Sequence, residues 1–165
     1  MVGGMSPPQG PPASAAFLLT QVGTHAAQRF AERIGEHGLT PPQCGILGLL
    51  RANPGISQQR LADVLGMQPS RVVALIDELE SAGLVERTRD GADRRRNALA
   101  LTAAGTTALA AIAAVATAHD DEVCRALSAD ERATLAELLT RIAADQGLRP
   151  GVHPGYRTVR PPAVR

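Results

Sequence analysis

The chain is poor in aromatic side chains: of 165 residues none is Trp, one is Tyr and two are Phe. A core without aromatics must be filled by Ala, Leu, Val and Ile, which favours close-packed helices over a β-sandwich. Lysine is absent, so all 17 basic residues are Arg; a GC-rich coding bias accounts for this without invoking function. The two cysteines, Cys44 and Cys124, lie far apart with no CxxC spacing. That excludes a disulfide framework and a zinc cage. No basic segment followed by an apolar run opens the chain, which argues against a secretory signal. One long charge-free stretch, Ala98–Ala118, is mostly Ala with Thr and Gly, and reads as a buried helix rather than a membrane span. A cytoplasmic protein with no membrane partner is the expectation. The net charge of +1 excludes a global field that would drive binding to nucleic acid.

What is present is hydrophobic content of 44%, enough for one ordinary folded domain with ragged ends. Residues 1–13 are Pro- and Gly-rich and are expected to be a disordered tail. A helix is predicted from about Ser14 to Glu36, with Leu19, Val22, Ala26, Phe30 and Ile34 as its apolar stripe. Thr40-Pro41-Pro42-Gln43 is a capping box with Pro at the first helical position, and its helix stops at Asn53-Pro54-Gly55. Ser57 caps a third helix ending at Gly66, with Ile56 placed to staple against Leu61; Pro69 opens a fourth, closed by Gly83. The period then changes. Leu84–Arg89 and Arg96–Leu101 flank an Asp90-Gly91 turn pair and read as a hairpin. Thr102 caps a long Ala-rich helix, and Ser128-Ala129-Asp130-Glu131 starts the last one, with Leu135, Leu138, Leu139 and Ile142 on one face. Residues 147–165, with four Arg and no acid, read as a Pro- and Arg-containing tail.

Two short helices joined through Gly66-Met67-Gln68 have helix-turn-helix spacing. Leu61, Val64, Leu65, Val72, Leu75, Ile76 and Leu79 give the pair an inner face, leaving Gln68, Ser70, Arg71 and Ala74 outside near the start of the second helix. Small and polar groups there suit entry into a major groove, where the positive end of the helix dipole meets phosphate. The hairpin after it is locally basic, since Leu84–Arg96 carries five Arg against three acids. Arg94, Arg95 and Arg96 at its tip suit a narrow, electronegative minor groove.

The run Leu79–Arg87 followed by Asp93-Arg94-Arg95-Arg96-Asn97-Ala98-Leu99-Ala100-Leu101-Thr102 resembles the MarR family of winged helix-turn-helix regulators. The second run fits that family's D-x-R-x-x-x-L-x-L-T wing signature at every fixed position, and Gln68-Pro69-Ser70 resembles the recognition-helix start of its SlyA-like branch. The resemblance covers about residues 14–146. It implies a mainly α fold with a small β-wing: a winged helix-turn-helix over 40–102 and a helical dimerisation region from 14–39 and 103–146. It implies a homodimer on a pseudo-palindromic operator in double-stranded DNA, acting as a repressor released by a small aromatic or phenolic ligand. By position, Arg95 is the wing arginine, Asp93 braces the wing, and Ser70 and Arg71 contact DNA. Position 74, where relatives often carry a basic or polar group, is Ala here, although Ala74 can still meet a thymine methyl. Phe17, Gln21, His25 and Cys44 are the candidates for lining an effector cleft.

No nucleophile–base pair, Gly-rich phosphate loop or paired carboxylates in a plausible pocket occurs, so an enzyme is not expected, and no cofactor is implied. His119 and Glu122, with Asp120 or Asp121, have a spacing compatible with metal ligands, but an exposed charged turn is the preferred reading. Cys44 is read as a small core residue, and Cys124 as a less favoured oxidant sensor or bridge. Two alternatives to a ligand-released repressor stand: a DNA-binding regulator without an effector, and a winged helix used as a protein-interaction module.

Overall fold

The computed structural model describes residues 14–89 and 97–153. Six helices and one hairpin follow in the expected order: α1 (Ala15–Gly35), α2 (Pro41–Ala52), α3 (Gln58–Leu65), α4 (Pro69–Ser81), β1 (Val85–Arg89), β2 (Asn97–Leu101), α5 (Ala103–Val123) and α6 (Ala129–Asp145).

The predicted caps form. Ser14 accepts from the Phe17 N–H, Ser57 from Arg60, Thr102 from Gly105 and Ser128 from Glu131, each relieving a donor that the first helical turn cannot pair internally. Thr40 and Gln43 form the reciprocal capping box of α2, as Ser128 and Glu131 do for α6. Gly66 and Gly83 stop α3 and α4 with φ of 65° and 71°, a region an L side chain enters at a cost. The hairpin pairs Val85 with Leu101, Arg87 with Leu99 and Arg89 with Asn97.

The sheet has one piece beyond the two predicted strands. The segment read only as a turn and cap before α3 adds a third edge: Gly55 N–H donates to Leu99 O (3.1 Å), Leu99 N–H to Ile56 O (3.1 Å), and Ser57 bridges Ala98. A strand this short has no alternation to read. It pins the wing's second strand to the start of α3.

The core is dominated by the winged unit. Ile46, Leu47, Leu50, Leu61, Leu65, Val72, Ile76, Leu79, Val85 and Leu99 are all buried, and Met67 in the α3–α4 turn plugs the same cluster. Ile34 of α1 and Ile112 of α5 join it, anchoring both flanking helices. Gln43 is the buried polar member; its amide oxygen accepts from Thr40 N–H (2.9 Å) while its Nε2 donates to Glu78 on α4 (2.8 Å). A cap thus doubles as a tie between α2 and α4.

The outer helices differ. Among the described residues α6 buries nothing, and Leu135, Leu138, Leu139 and Ile142 lie open on one face. On α1 the C-terminal end of the predicted stripe packs, with Ile34 buried and Phe30 half-buried, but Phe17, Leu18, Leu19 and Val22 stay exposed. The α5–α6 corner is held by Arg132, which donates to Asp121 Oδ1 (2.8 Å) and to the carbonyls of Cys124 (3.1 Å) and Leu127 (3.4 Å).

The segment after Gly147 is more than a plain tail. Arg149 Nη1 donates to the carbonyls of Asp63 (2.6 Å) and Val64 (2.9 Å) at the end of α3, and Val152 packs against the core. A cation at a helix C-terminus meets the carbonyls that the last turn leaves unpaired. Residues 154–165 and 1–13, where the outer tails were predicted, lie outside the described residues.

Candidate nucleic-acid interface

The surface of α4 follows from its pattern. Val72, Ile76 and Leu79 fall at intervals of four and three, and all three are buried. Their burial turns the remaining positions outward. Gln68, Ser70, Arg71 and Ala74 are exposed, so the structure brings these four sequence-predicted residues together at the N-terminal half of one helix. Gln68 is the N-cap, but its side chain does not fold back onto the helix, and Pro69 at the first position has no N–H to satisfy. This helix end presents its positive dipole beside small polar groups, an arrangement that accepts phosphate and admits base edges.

The wing strand β1 is fastened alongside. Arg87 donates to Asp77 and Glu80, both on α4, and its backbone N–H also points at Glu80 (3.3 Å). With the Gln58 amide oxygen turned toward it, Arg87 also donates to α3 through Nε (3.2 Å) and Nη2 (2.9 Å). One guanidinium therefore joins α3, α4 and β1. This corrects the charge reading of Leu84–Arg96: Arg87 is spent inside the fold and is not part of a free basic patch. Nothing near position 87 in the sequence could have shown this, because the partners lie seven and ten residues upstream on another element.

Removal of this link is a direct check. Arg87→Ala is expected to cost about 1–2 kcal/mol in chemical denaturation, modest because Asp77 and Glu80 are themselves partly solvated. Asp93, Arg94, Arg95 and Arg96, the predicted wing brace and tip, lie outside the described residues.

The effector candidates are dispersed. Phe17, Gln21 and His25 share one face of α1 at four-residue spacing and are exposed, whereas Cys44 sits in the core at 8% exposure. Burial pushes the Cys44 thiol up to about 11, against only a small opposing backbone contact. Thiolate is the reactive form, so a neutral-pH thiol reagent should label half-buried Cys124 and spare Cys44 until the protein unfolds. Mass spectrometry after timed labelling checks this, and fast Cys44 modification would refute it.

His119 and Glu122 are not in an exposed turn as expected but in the last two turns of α5. The His119 ring packs on Phe30 with centroids 5.5 Å apart, and burial together with Arg33 lowers its pKa. Glu122 pairs with Arg33 and, at 3.8 Å, with Arg29. These contacts tie α5 to α1, and among the described residues no group of three metal-ligand side chains forms. No helix among them is long and apolar enough to cross a membrane.

Comparison with known proteins places this geometry. Residues 37–96 match the model of the MarR family. The transcriptional regulatory protein for the hcr operon of Thauera aromatica is 37% identical over 118 residues, covering 71% of each chain. Among solved structures, the transcriptional repressor CouR bound to a 23-mer DNA duplex superposes with a TM-score of 0.70 at 36% identity, over 79% of this chain and 92% of that one. A Mycobacterium tuberculosis MarR family protein in complex with salicylic acid superposes with a TM-score of 0.64 at 28% identity, over 79% of this chain and 96% of that one. Relatives of this kind are named as regulators and not as enzymes. With its helix-turn-helix, its paired wing strands and this degree of likeness, the chain belongs to the MarR family of winged-helix transcriptional regulators.

Proposed function

We propose that the chain acts as a homodimeric repressor that binds a pseudo-palindromic operator. Each α4 enters a major groove through Gln68, Ser70, Arg71 and Ala74, and Arg94, Arg95 and Arg96 of each wing reach the flanking minor groove. Asp93 braces the wing. The observation that carries this reading is the open N-terminal face of α4, packed from behind by Val72, Ile76 and Leu79 and fastened to the wing strand by Arg87. The DNA-bound form of CouR, a relative of the same fold, supports it.

The dimer rests on separate ground. The N-terminal part of α1's apolar row and the apolar row of α6 stay largely exposed within the described residues of one subunit. Two half-sites on one DNA face lie about 34 Å apart, a span that a rigid two-fold body holds. Release by a small aromatic acid draws on the salicylate-bound relative. In the dimer, Phe17, Gln21, His25 and Cys44 remain the residues proposed to border that site. Such a ligand acts only by favouring one separation of the two recognition helices over another.

Selection of bound duplexes from random DNA tests the whole reading; a palindrome with half-sites one helical turn apart is the expected product. On that duplex, Arg95→Ala should weaken binding by about 1–3 kcal/mol, and log affinity should fall linearly with log salt. A gel-shift titration with unchanged affinity would remove Arg95 from the interface. Salt-independent binding would favour a protein-interaction module.

A further inference from the structure

The outer face of α4 holds one residue that neither folding nor the polar contacts account for. Val73 is 41% exposed, between Val72, which is fully buried, and exposed Ala74. At about 100° per residue it lies on the flank of the helix that also carries Asp77, one turn further on. Asp77 and Glu80 are engaged by Arg87, so the polar groups of that flank are already satisfied within the protein. On the other flank is Arg71, exposed. The groove-facing surface therefore runs from Arg71 and Ser70 across Ala74 to Val73, with an apolar stretch where a hydrogen-bonding group is absent. A β-branched residue is also a poorer helix former than Ala, so exposure at this site brings no stability.

We propose that Val73, together with Ala74, recognises the 5-methyl group of thymine in the major groove, and that Val73 is a specificity-determining residue of this regulator. The proposal rests on the DNA-binding reading above. In the major groove the thymine methyl is the one large apolar group: adenine and guanine present donors and acceptors, and cytosine an amino donor beside a bare C5–H. An isopropyl group against such an edge strips it of water and offers nothing in return, which disfavours cytosine, adenine or guanine at that position. Against a thymine methyl it buries apolar surface on both sides. The operator half-site is thus expected to carry thymine opposite Val73, with Arg71 supplying the hydrogen-bonded contact nearby.

The test uses the full chain and the duplex selected from random DNA, synthesised once with thymine and once with uracil throughout. Uracil keeps every hydrogen-bonding group and lacks only the methyl. Loss of one buried methyl corresponds to about fourfold in affinity, and the two-fold related half-sites raise this to about tenfold or more. The wild-type chain should therefore bind the thymine duplex about tenfold more tightly than the uracil duplex. Val73→Ala, which keeps the helix, should bind the thymine duplex more weakly and lose most of that ratio. Circular dichroism and dimer mass of the variant should match the wild type. Equal affinity of the wild-type chain for the two duplexes, or a full ratio retained by Val73→Ala, would overturn methyl recognition while leaving DNA binding intact. If no duplex is selected at all, the DNA-binding reading fails and this inference falls with it.

Discussion

Leu138→Asp is expected to break the proposed homodimer into monomers and to lower affinity for the proposed operator by at least about 100-fold. Leu138 and Ile142 are each 46% exposed and share a face of α6 with Leu135 and Leu139. Full burial of a Leu or Ile is worth about 1.5–3 kcal/mol, and with a third to a half of each of these four side chains still exposed, the row on each subunit has about 2–5 kcal/mol left to gain on association. The phenylalanine, leucines and valine exposed on α1 add to it. In the proposed two-fold dimer every substitution is met twice, so a carboxylate at position 138 would enter the interface in two places, without any partner among the leucines around it. A single α4 and wing then bind one half-site, and the gain from holding two at fixed spacing disappears. Light scattering coupled to size exclusion measures the mass, and gel shift the affinity. Leu138→Met, which keeps volume and polarity, is the control. A Leu138→Asp protein that remained dimeric and bound DNA normally would place the interface elsewhere.

Gly105→Ala is expected to be among the most damaging small substitutions in the chain. Gly105 is buried in the first turn of α5, and a Cβ there would overlap the Leu84 carbonyl oxygen. The carbonyl carbon would lie 2.9 Å away and a Leu101 methyl 3.4 Å away. Leu84 cannot retreat easily. Its carbonyl accepts from the Thr102 N–H (3.1 Å), its own N–H donates to Leu79 O (2.9 Å), and Thr102 Oγ1 donates to Gly83 O (2.6 Å). Overpacking against backbone of this kind costs about 2–3 kcal/mol, equivalent to a fall of roughly 5–10 °C in Tm. The wing root would shift with it, because β1 starts at Val85. Gly48→Ala in α2 provides the contrast: nothing lies within 4 Å of its added Cβ, so a gain of about 0.5–1 kcal/mol is expected. Thermal unfolding of the two variants side by side decides the matter; a harmless Gly105→Ala would mean that the α5–wing contact is soft.

Much of this architecture was readable along the chain because its signals are local. A Ser or Thr cap acts on an N–H two or three residues ahead, and a stop glycine acts on its own φ. Ser14, Thr40, Ser57, Thr102 and Ser128 therefore mark helix starts close to where they occur. Val72, Ile76 and Leu79 show the inner side of α4, and with it the outer side, through periodicity alone. The wing motif Asp93–Thr102 carries the family resemblance within ten consecutive residues.

Other features had no local signal. Arg87 looked like one basic residue among five until Asp77 and Glu80 closed on it. Arg149 looked like part of a tail, yet it meets carbonyls about 85 residues earlier in the chain. In the sequence Gly105 is one small residue in an Ala-rich stretch, and only the Leu84 carbonyl against it shows why no side chain fits. Sequence by itself determined where helices begin and end and which side of each is apolar, because capping and amphipathic spacing are set by neighbours within a turn or two. Tertiary structure alone decided that Arg87 is spent inside the fold, which apolar faces remain uncovered and where a methyl group is forbidden, since charge pairing and close packing depend on groups that only the folded chain brings within a few ångströms.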